Sequence, residues 1–165
     1  MRIFEKISLE QFKKEYDESL YDEYKLPKRA SMNSVGYDFY AIEDFVIKPG
    51  EIKKIPTGYK AKFNFDEGLF IFVRSSMGFK YNVRLTNQVG IVESDYYNNE
   101  SNEGHIYVSL QNEGDKEFVV KKNSAYAQGV FMKYLITDDD NATDKRTGGL
   151  GSTDRRDEKW IYMKN

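Results

Sequence analysis

Short apolar runs alternate with turn-forming residues along most of this chain. After residue 28, runs rich in Val, Ile, Phe and Tyr are separated by turns that contain Gly, Pro, Asn or Asp. The predicted strands include residues 45–47, 52–55, 59–63, 69–73, 106–110, 118–120 and 129–136. Many short strands with regular turns indicate an all-β domain, either a β-sandwich, a jelly roll or a small barrel.

The first residues follow a helical pattern instead. Ser8 and Gln11 have the spacing of a capping box, and Ile7 and Phe12 have the spacing of a hydrophobic staple. Apolar residues then recur every three or four positions. The pattern predicts a helix from about residue 9 to about residue 19.

Three segments follow from these patterns. We expect an N-terminal helical extension over residues 1–29, a β domain over residues 30–140, and a Gly-rich C-terminal arm and tail over residues 141–165. The polar residues 138–141, three aspartates and an asparagine, suggest a solvated linker before the arm.

Composition narrows the classes of function. The chain has 165 residues and a net charge of −2, which gives no electrostatic footprint for duplex nucleic acid or an anionic membrane. It has no cysteine and one histidine, so disulfides and a multi-histidine zinc site within one chain are excluded. It has no apolar run of membrane-spanning length and no signal-peptide pattern, so we expect a cytoplasmic protein.

Residues 87–97 combine turn formers, β-branched residues, acids and tyrosines. Asn87 and Gly90 favour turns and Ile91 favours a strand, which predicts a bent hairpin. The backbone of a hairpin offers donors and acceptors to the edge of a flat base. Glu93 and Tyr96 add a carboxylate and a ring face, so the segment has the outline of a nucleotide pocket. An ordinary surface hairpin would show the same residues.

A second motif follows the apolar run 69–73. Arg74 offers a planar fork of donors, and Ser75 and Ser76 add hydroxyls at a predicted helix start, so the motif suits an anion. A serine helix cap beside a surface arginine is the alternative.

The Gly-rich segment near the C-terminus is a candidate phosphate wrap. Gly148, Gly149 and Gly151 allow close approach of backbone N–H groups, with Leu150 and Ser152 between and after them. Lys145 and Arg146 stand upstream with positive charge. A flexible linker is the alternative, and the Gly-Lys-Ser/Thr ending of a Walker A loop is missing.

Two single polar residues complete the set. Gln128 precedes the last long strand and has an uncharged amide that suits a phosphate contact. Asp38 lies within an aromatic strand, where a buried carboxylate requires a partner such as an arginine or a hydroxyl.

In order and separation, these five segments resemble those of the trimeric dUTP pyrophosphatase (dUTPase) family, over roughly residues 28–154. The long segment 96–105 is similar to the Gram-positive and phage branch. The resemblance implies a β-clip or jelly-roll-like all-β fold with a short internal helix, to which this chain adds the N-terminal helix. It also implies a homotrimer whose active sites are shared between subunits, with dUTP and water converted to dUMP and pyrophosphate.

The resemblance further implies a role for each residue. The uracil edge would be read by Asn87, Gly90 and Ile91, and Tyr96 would pack under the deoxyribose and exclude a ribose. The phosphates would be bound by Arg74, Ser75, Ser76 and Gln128, and covered by an arm comprising Lys145, Arg146, Gly148, Gly149, Leu150, Gly151 and Ser152. Asp38 would support the site, and Glu93 would activate the attacking water. Mg²⁺ would be held mainly by the triphosphate and water, as suits a hard ion.

This sequence departs from the family at informative positions. Glu93 stands where the family has aspartate, and one added methylene is enough to misplace a base. A working base, a slow base and binding without turnover all remain open, as does an engineered change. Leu150 replaces a stacking Phe, and Lys145 stands where the arm arginine is usual, with Arg146 one place later.

Two alternative functions follow. One is a dUTP-binding regulatory protein of the same fold that acts through a protein partner, and the other is an interaction module without a nucleotide role. The related dCTP deaminases share the fold, but their catalytic pattern is missing around Glu93. His105 is expected to be structural or solvated.

Overall fold

The computed structural model describes residues 1–143, which form twelve β-strands, two α-helices and two 3₁₀ helices. In chain order the elements are β1 (Ile3–Lys6), α1 (Leu9–Phe12), a 3₁₀ helix (Glu18–Leu20), β2 (Lys28–Arg29), β3 (Tyr37–Tyr40), β4 (Phe45–Ile47), β5 (Ile52–Pro56), β6 (Tyr59–Lys62), β7 (Glu67–Val73), α2 (Ser75–Tyr81), β8 (Val83–Leu85), β9 (Gly90–Glu93), a second 3₁₀ helix (Ser94–Tyr96), β10 (Tyr107–Asn112), β11 (Phe118–Val120) and β12 (Ala125–Lys133). The all-β prediction is confirmed.

The strands pair into four antiparallel sheets. The largest has the order β2-β3-β12-β7-β9, and the next has the order β5-β10-β8. The pairs β1-β6 and β11-β4 complete the fold. A buried core of aliphatic and aromatic side chains lies between these sheets.

Strand β12 lies at the centre of the five-stranded sheet. A Cβ on Gly129 would lie 2.9 Å from Leu69 Cδ1 and 3.0 Å from Phe39 Cε1, so a larger residue would displace core atoms. The strand ends at Lys133 rather than at residue 136 as predicted, and Leu135 beyond it is 97% exposed. An apolar residue outside the sheet produced this error, because the sequence pattern does not distinguish apolar residues that are buried from those that are not.

The N-terminal helix is shorter than predicted. Ser8 caps it as expected, since its side chain accepts a hydrogen bond from the Gln11 N–H. Helix α1 nevertheless ends at Phe12. Asp17 takes an extended conformation and its side chain caps the following 3₁₀ helix, which separates the two helical pieces.

The residues before α1 form a strand that the sequence analysis did not predict. Strand β1 pairs with β6, and Phe4 on β1 packs between Tyr37, Phe39 and Tyr59. The proposed division at residues 29 and 140 stays a prediction, although this pairing connects the N-terminal segment directly to the β domain. In residues 1–143, no helix is long and apolar enough to cross a membrane.

Candidate active site

One polar pocket contains five of the side chains that the sequence analysis selected. It is lined by Asp38, Arg74, Ser75, Ser76 and Gln128, together with Ala30, Ser34, Val35 and Gly36. A guanidinium, two hydroxyls and an amide are donors that suit an anionic ligand such as a phosphate. We call it the polar pocket.

The sheet register brings these distant residues together. Gln128 on β12 lies opposite Asp38 on β3 and opposite Phe72 on β7. Because β7 ends at Val73, Arg74 leaves the sheet beside them and α2 begins at once with two serines. Three segments far apart in sequence therefore meet beside the C-terminal end of β7.

Gly36 allows the close approach of the Gln128 side chain. A Cβ at residue 36 would lie 2.5 Å from Gln128 Oε1. Glycine leaves space for this amide, whose Nε2 donates to the Val73 carbonyl at 3.2 Å. The amide is therefore held at the pocket wall by its own contacts.

Arg74 is oriented by two contacts and stays accessible. Its Nε lies 3.2 Å from Asp38 Oδ1, and its Nη1 donates to the Ala125 carbonyl at 3.4 Å. The Arg74 side chain remains 39% exposed, whereas that of Asp38 is 14% exposed. The expected arginine partner of Asp38 is thus present, and the carboxylate holds the guanidinium at the pocket.

The segment 87–97 differs from the predicted hairpin. Strand β8 pairs with β10 and strand β9 pairs with β7, so the strands on either side of the turn belong to different sheets. The turn between them includes Gln88 with φ of 64° and a hydrogen bond from its N–H to the Leu85 carbonyl. The bend therefore lies between two strands that pair in different sheets, and the two strands do not pair with each other.

A second pocket, which we call the β9 pocket, lies along this strand. It is lined by Glu67, Gly68, Phe70, Ile91, Val92, Glu93, Ser94, Asp95 and Tyr134. Ile91 is 60% exposed, and Glu93 is also exposed at the end of β9. Asp95 lines the same pocket as Glu93.

The two pockets lie at opposite ends of β7. Glu93 pairs with Gly68, whereas Arg74 follows the last residue of the strand. Six residues of extended chain span roughly 20 Å. Within one subunit, Glu93 on β9 therefore lies far from the arginine–serine motif.

Tyr96 is held by polar contacts at its hydroxyl. Its side chain is largely buried, and the residue is 6% exposed. The hydroxyl donates to the His105 carbonyl at 3.0 Å and accepts from Asn102 Nδ2 at 2.8 Å. The role of its ring toward a sugar stays a prediction. Sequence reasoning missed Asn102, although an Asn-rich insertion directly after the motif was a signal for such a contact.

His105 is a structural residue. It is fully buried, and its Nε2 accepts a hydrogen bond from the Gly58 N–H at 3.0 Å. Burial lowers the pKa of His105 from 6.5 to about 4, because an imidazolium would lose its hydration. The side chain is therefore neutral at pH 7, and the expectation of a structural role is confirmed.

The remaining candidates belong to the C-terminal arm. Seven candidates lie outside the described residues 1–143, namely Lys145, Arg146, Gly148, Gly149, Leu150, Gly151 and Ser152.

Two further candidates lie at the start of β9. Asn87 lies in the turn before this strand. Gly90 packs closely against β7, since an added Cβ would lie 3.1 Å from Ile71 Cβ.

The fold is all-β, and its polar pocket places donors that suit an anion beside the C-terminal end of β7. The dUTPase family model matches residues 22–154. The chain is 46% identical over 130 residues to the deoxyuridine 5'-triphosphate nucleotidohydrolase of Lactococcus lactis, covering 78% of this chain and 87% of the relative. The protein belongs to the dUTPase family.

Solved structures agree with this assignment. The crystal structure of dUTPase from Streptococcus mutans has a TM-score of 0.67 and 39% identity, covering 82% of this chain and 98% of that one. A mutant dUTPase from phage phi11 of S. aureus, described with a structural Mg(II) ion, has a TM-score of 0.64. It covers 87% of this chain and 97% of its own length at 14% identity, so it supports the fold alone. Both neighbours confirm the predicted dUTPase fold, and the Lactococcus and Streptococcus relatives support the Gram-positive-like branch.

Proposed function

We propose that this chain is a dUTP diphosphatase that converts dUTP and water to dUMP and pyrophosphate. The observation that carries the proposal is the polar pocket, where Asp38, Arg74, Ser75, Ser76 and Gln128 meet in a chain of the dUTPase family. Such a pocket has donors for a triphosphate, and membership of the dUTPase family indicates dUTP as the substrate. A role in removing dUTP, which keeps uracil out of DNA, follows from this reaction.

The chemistry assigns separate tasks to the two pockets. Glu93 would orient and deprotonate a water whose oxygen attacks the α-phosphorus. The bond from the α-phosphorus to its bridging oxygen then breaks, and pyrophosphate leaves. Arg74 would stabilise the charge that develops on the phosphates, while Asp38 keeps the guanidinium in place.

Base and sugar recognition would come from the segment around β9. The backbone at Gly90 and Ile91, with Asn87, would read the uracil edge. Tyr96 would pack under the deoxyribose and exclude the 2′-hydroxyl of a ribonucleotide. The C-terminal arm would close over the phosphates with Lys145 or Arg146.

Mg²⁺ would be carried by the triphosphate and its waters. The ion prefers oxygen ligands and keeps part of its hydration, so phosphate oxygens suit it. Among residues 1–143, no group of three or more His, Cys, Asp or Glu side chains is placed to hold a metal ion. A phosphate-bound Mg²⁺ requires no such group, and when bound it would supply charge neutralisation of the triphosphate.

A homotrimer with shared sites would unite the two pockets. In one chain Glu93 and Arg74 lie at opposite ends of β7, too far apart to act on one α-phosphate. A neighbouring subunit could bring its β9 pocket to the polar pocket of the first. Cyclic symmetry would then create three equivalent sites.

The first experiment measures pyrophosphate release from dUTP with Mg²⁺, for the chain as written and for Glu93→Asp. The controls are dTTP, dCTP and UTP. We expect dUTP-selective turnover by the unchanged chain. Binding of dUTP without turnover, with activity restored by aspartate, would instead indicate a dUTP-binding regulatory protein. A chain that neither binds nor hydrolyses dUTP would refute the proposal.

A second experiment tests the shared site. Two inactive variants, Arg74→Ala and Glu93→Ala, are unfolded together, refolded as a mixture and assayed. Random trimers would place an intact Arg74 beside an intact Glu93 in about a quarter of the sites, so activity should return. Activity that stays absent in the mixture, although the mass is that of a trimer, would place both residues in one subunit's site.

A further inference from the structure

The loop after Tyr96, residues 97–105, is organised around the hydroxyl of that tyrosine. Asn102 Nδ2 donates to the hydroxyl at 2.8 Å, and the hydroxyl donates to the His105 carbonyl at 3.0 Å. Both the oxygen and the proton of the phenol are thus engaged by one loop. The ring has little freedom to tilt, because its far end is fixed at two points.

The amide of Asn102 can face Tyr96 in one orientation. Its Oδ1 accepts from the Gly104 N–H at 3.1 Å and from Asn99 Nδ2 at 2.7 Å. These donors require the carbonyl oxygen on their side, so Nδ2 must point to the phenol. Asn99 Nδ2 also donates to the Tyr96 carbonyl at 2.9 Å, which fixes the backbone of the same residue.

The loop is in turn attached to the N-terminal segment. The Glu103 carboxylate accepts from the Ser8 N–H at 3.0 Å and from Ser8 Oγ at 2.5 Å. The hydroxyl of Tyr97 donates to Glu5 Oε2 at 2.6 Å. Both Glu5 and Ser8 precede residue 22, where the family match begins. The N-terminal segment therefore contacts the loop that holds a site residue.

We propose that Asn102 is a positioning residue for sugar discrimination, which acts by fixing the Tyr96 hydroxyl within a loop anchored by Glu5 and Ser8. The inference rests on the proposed function, since it takes the Tyr96 ring as the surface under the deoxyribose. A ring rejects a ribose 2′-hydroxyl only if it cannot move away from it. Asn102 supplies that rigidity without touching the nucleotide.

The test compares four proteins: the unchanged chain, Asn102→Asp, Tyr96→Phe and the double variant. Aspartate keeps an oxygen for Gly104 and Asn99 but replaces the donor to the phenol with a charged acceptor. The dissociation constants of dUDP and UDP, neither of which is the triphosphate substrate, are measured by calorimetry with Mg²⁺. The readout is the ratio of the two constants.

We expect the preference for dUDP over UDP to fall about fivefold in Asn102→Asp, as for the loss of one hydrogen bond that orients a contact. Tyr96→Phe removes both hydrogen bonds of the phenol, so it should lower the preference at least as much. The double variant should lower it no further than Tyr96→Phe, because the bond donated by Asn102 is already lost without the phenol. Asn98→Asp is the matched control. It makes the same change in the same loop at a residue whose Oδ1 accepts from Lys60 Nζ at 2.6 Å.

Several outcomes would overturn the inference. An unchanged preference in a folded Asn102→Asp variant, or additive losses in the double variant, would show that Asn102 does not act through the phenol. If Asn102→Asp does not fold, an unchanged preference in Tyr96→Phe alone overturns it. If the unchanged chain hydrolyses dUTP but the ratio of the two dissociation constants is the same in every variant, only this inference is refuted. If the unchanged chain binds neither dUDP nor UDP, both this inference and the proposed function are refuted.

Discussion

Mild acid should weaken the fold through His105. Its Nε2 accepts the Gly58 N–H at 3.0 Å within the core, so protonation would place one N–H against another. The folded-state pKa, about 4, lies below the ordinary value of 6.5. The unfolded chain therefore takes up the proton first as the pH falls. Stability from the neutral imidazole is fully present above pH 6.5 and is lost as the pH falls toward 4.

The magnitude follows from the two pKa values. Between pH 7.0 and pH 5.5 the linkage relation gives a roughly eightfold loss in the folding equilibrium constant, or about 1.2 kcal/mol. Carried below pH 4, the loss would approach about 3.4 kcal/mol. The upper pH range isolates the histidine, because carboxylates titrate mostly at lower pH and this is the single histidine of the chain.

The assay is urea unfolding at both pH values and one fixed protein concentration, with His105→Gln as the matched control. Glutamine keeps an oxygen that can accept the Gly58 N–H but does not titrate. Its stability should therefore change by far less between the two pH values, and the N-terminal amine contributes equally to both proteins. An equal loss of stability in the two proteins would refute the assignment of the pH dependence to His105.

Three further predictions concern capping, close packing and phosphate binding. Ser8→Ala should cost at least about 1 kcal/mol in the free energy of unfolding, because helix α1 loses its N-cap and the Glu103 carboxylate loses the Ser8 hydroxyl. Gly36→Ala should raise KM for dUTP several-fold in steady-state assays with little change in Tm, because the new Cβ displaces the Gln128 amide at the end of a flexible side chain. Arg74→Lys should raise KM about tenfold, because an ammonium cannot contact both Asp38 and a phosphate in the planar geometry of a guanidinium.

Matched variants separate these effects from general damage. Gly78→Ala should be tolerated, since its nearest contacts would lie 3.9 Å away. Arg84→Lys changes an arginine paired with Glu113 outside the polar pocket, so KM should stay constant. A Ser8→Ala protein as stable as the original would contradict the capping argument. Equal KM effects at the site and control positions would contradict the assignment of the pocket.

Local sequence signals determined most of the elements. The turn formers at Pro49-Gly50 separate β4 from β5, and the apolar run after Gly68 became most of β7, with Leu69 and Ile71 buried. The Ser8 cap was also readable, since a cap involves residues only three positions apart. The order of the motifs along the chain indicated the dUTPase family, and the resemblance to that family indicated the roles of the candidate site residues.

Tertiary structure alone decided which of these elements meet. Gln128 lies beside Asp38, and Ser8 contacts Glu103, although 90 and 95 residues separate the two pairs along the chain. The same holds for the pairing of β1 with β6, which gave a strand where the sequence pattern showed only the approach to a helix. Turns and caps depend on the preferences of neighbouring residues, whereas pairing and burial depend on which surfaces of the whole chain are covered together. The sequence therefore determined the individual strands, turns and caps and the chemistry of the candidate side chains. The packing of the sheets decided that Glu93 on β9 and Arg74 in the polar pocket lie at opposite ends of β7.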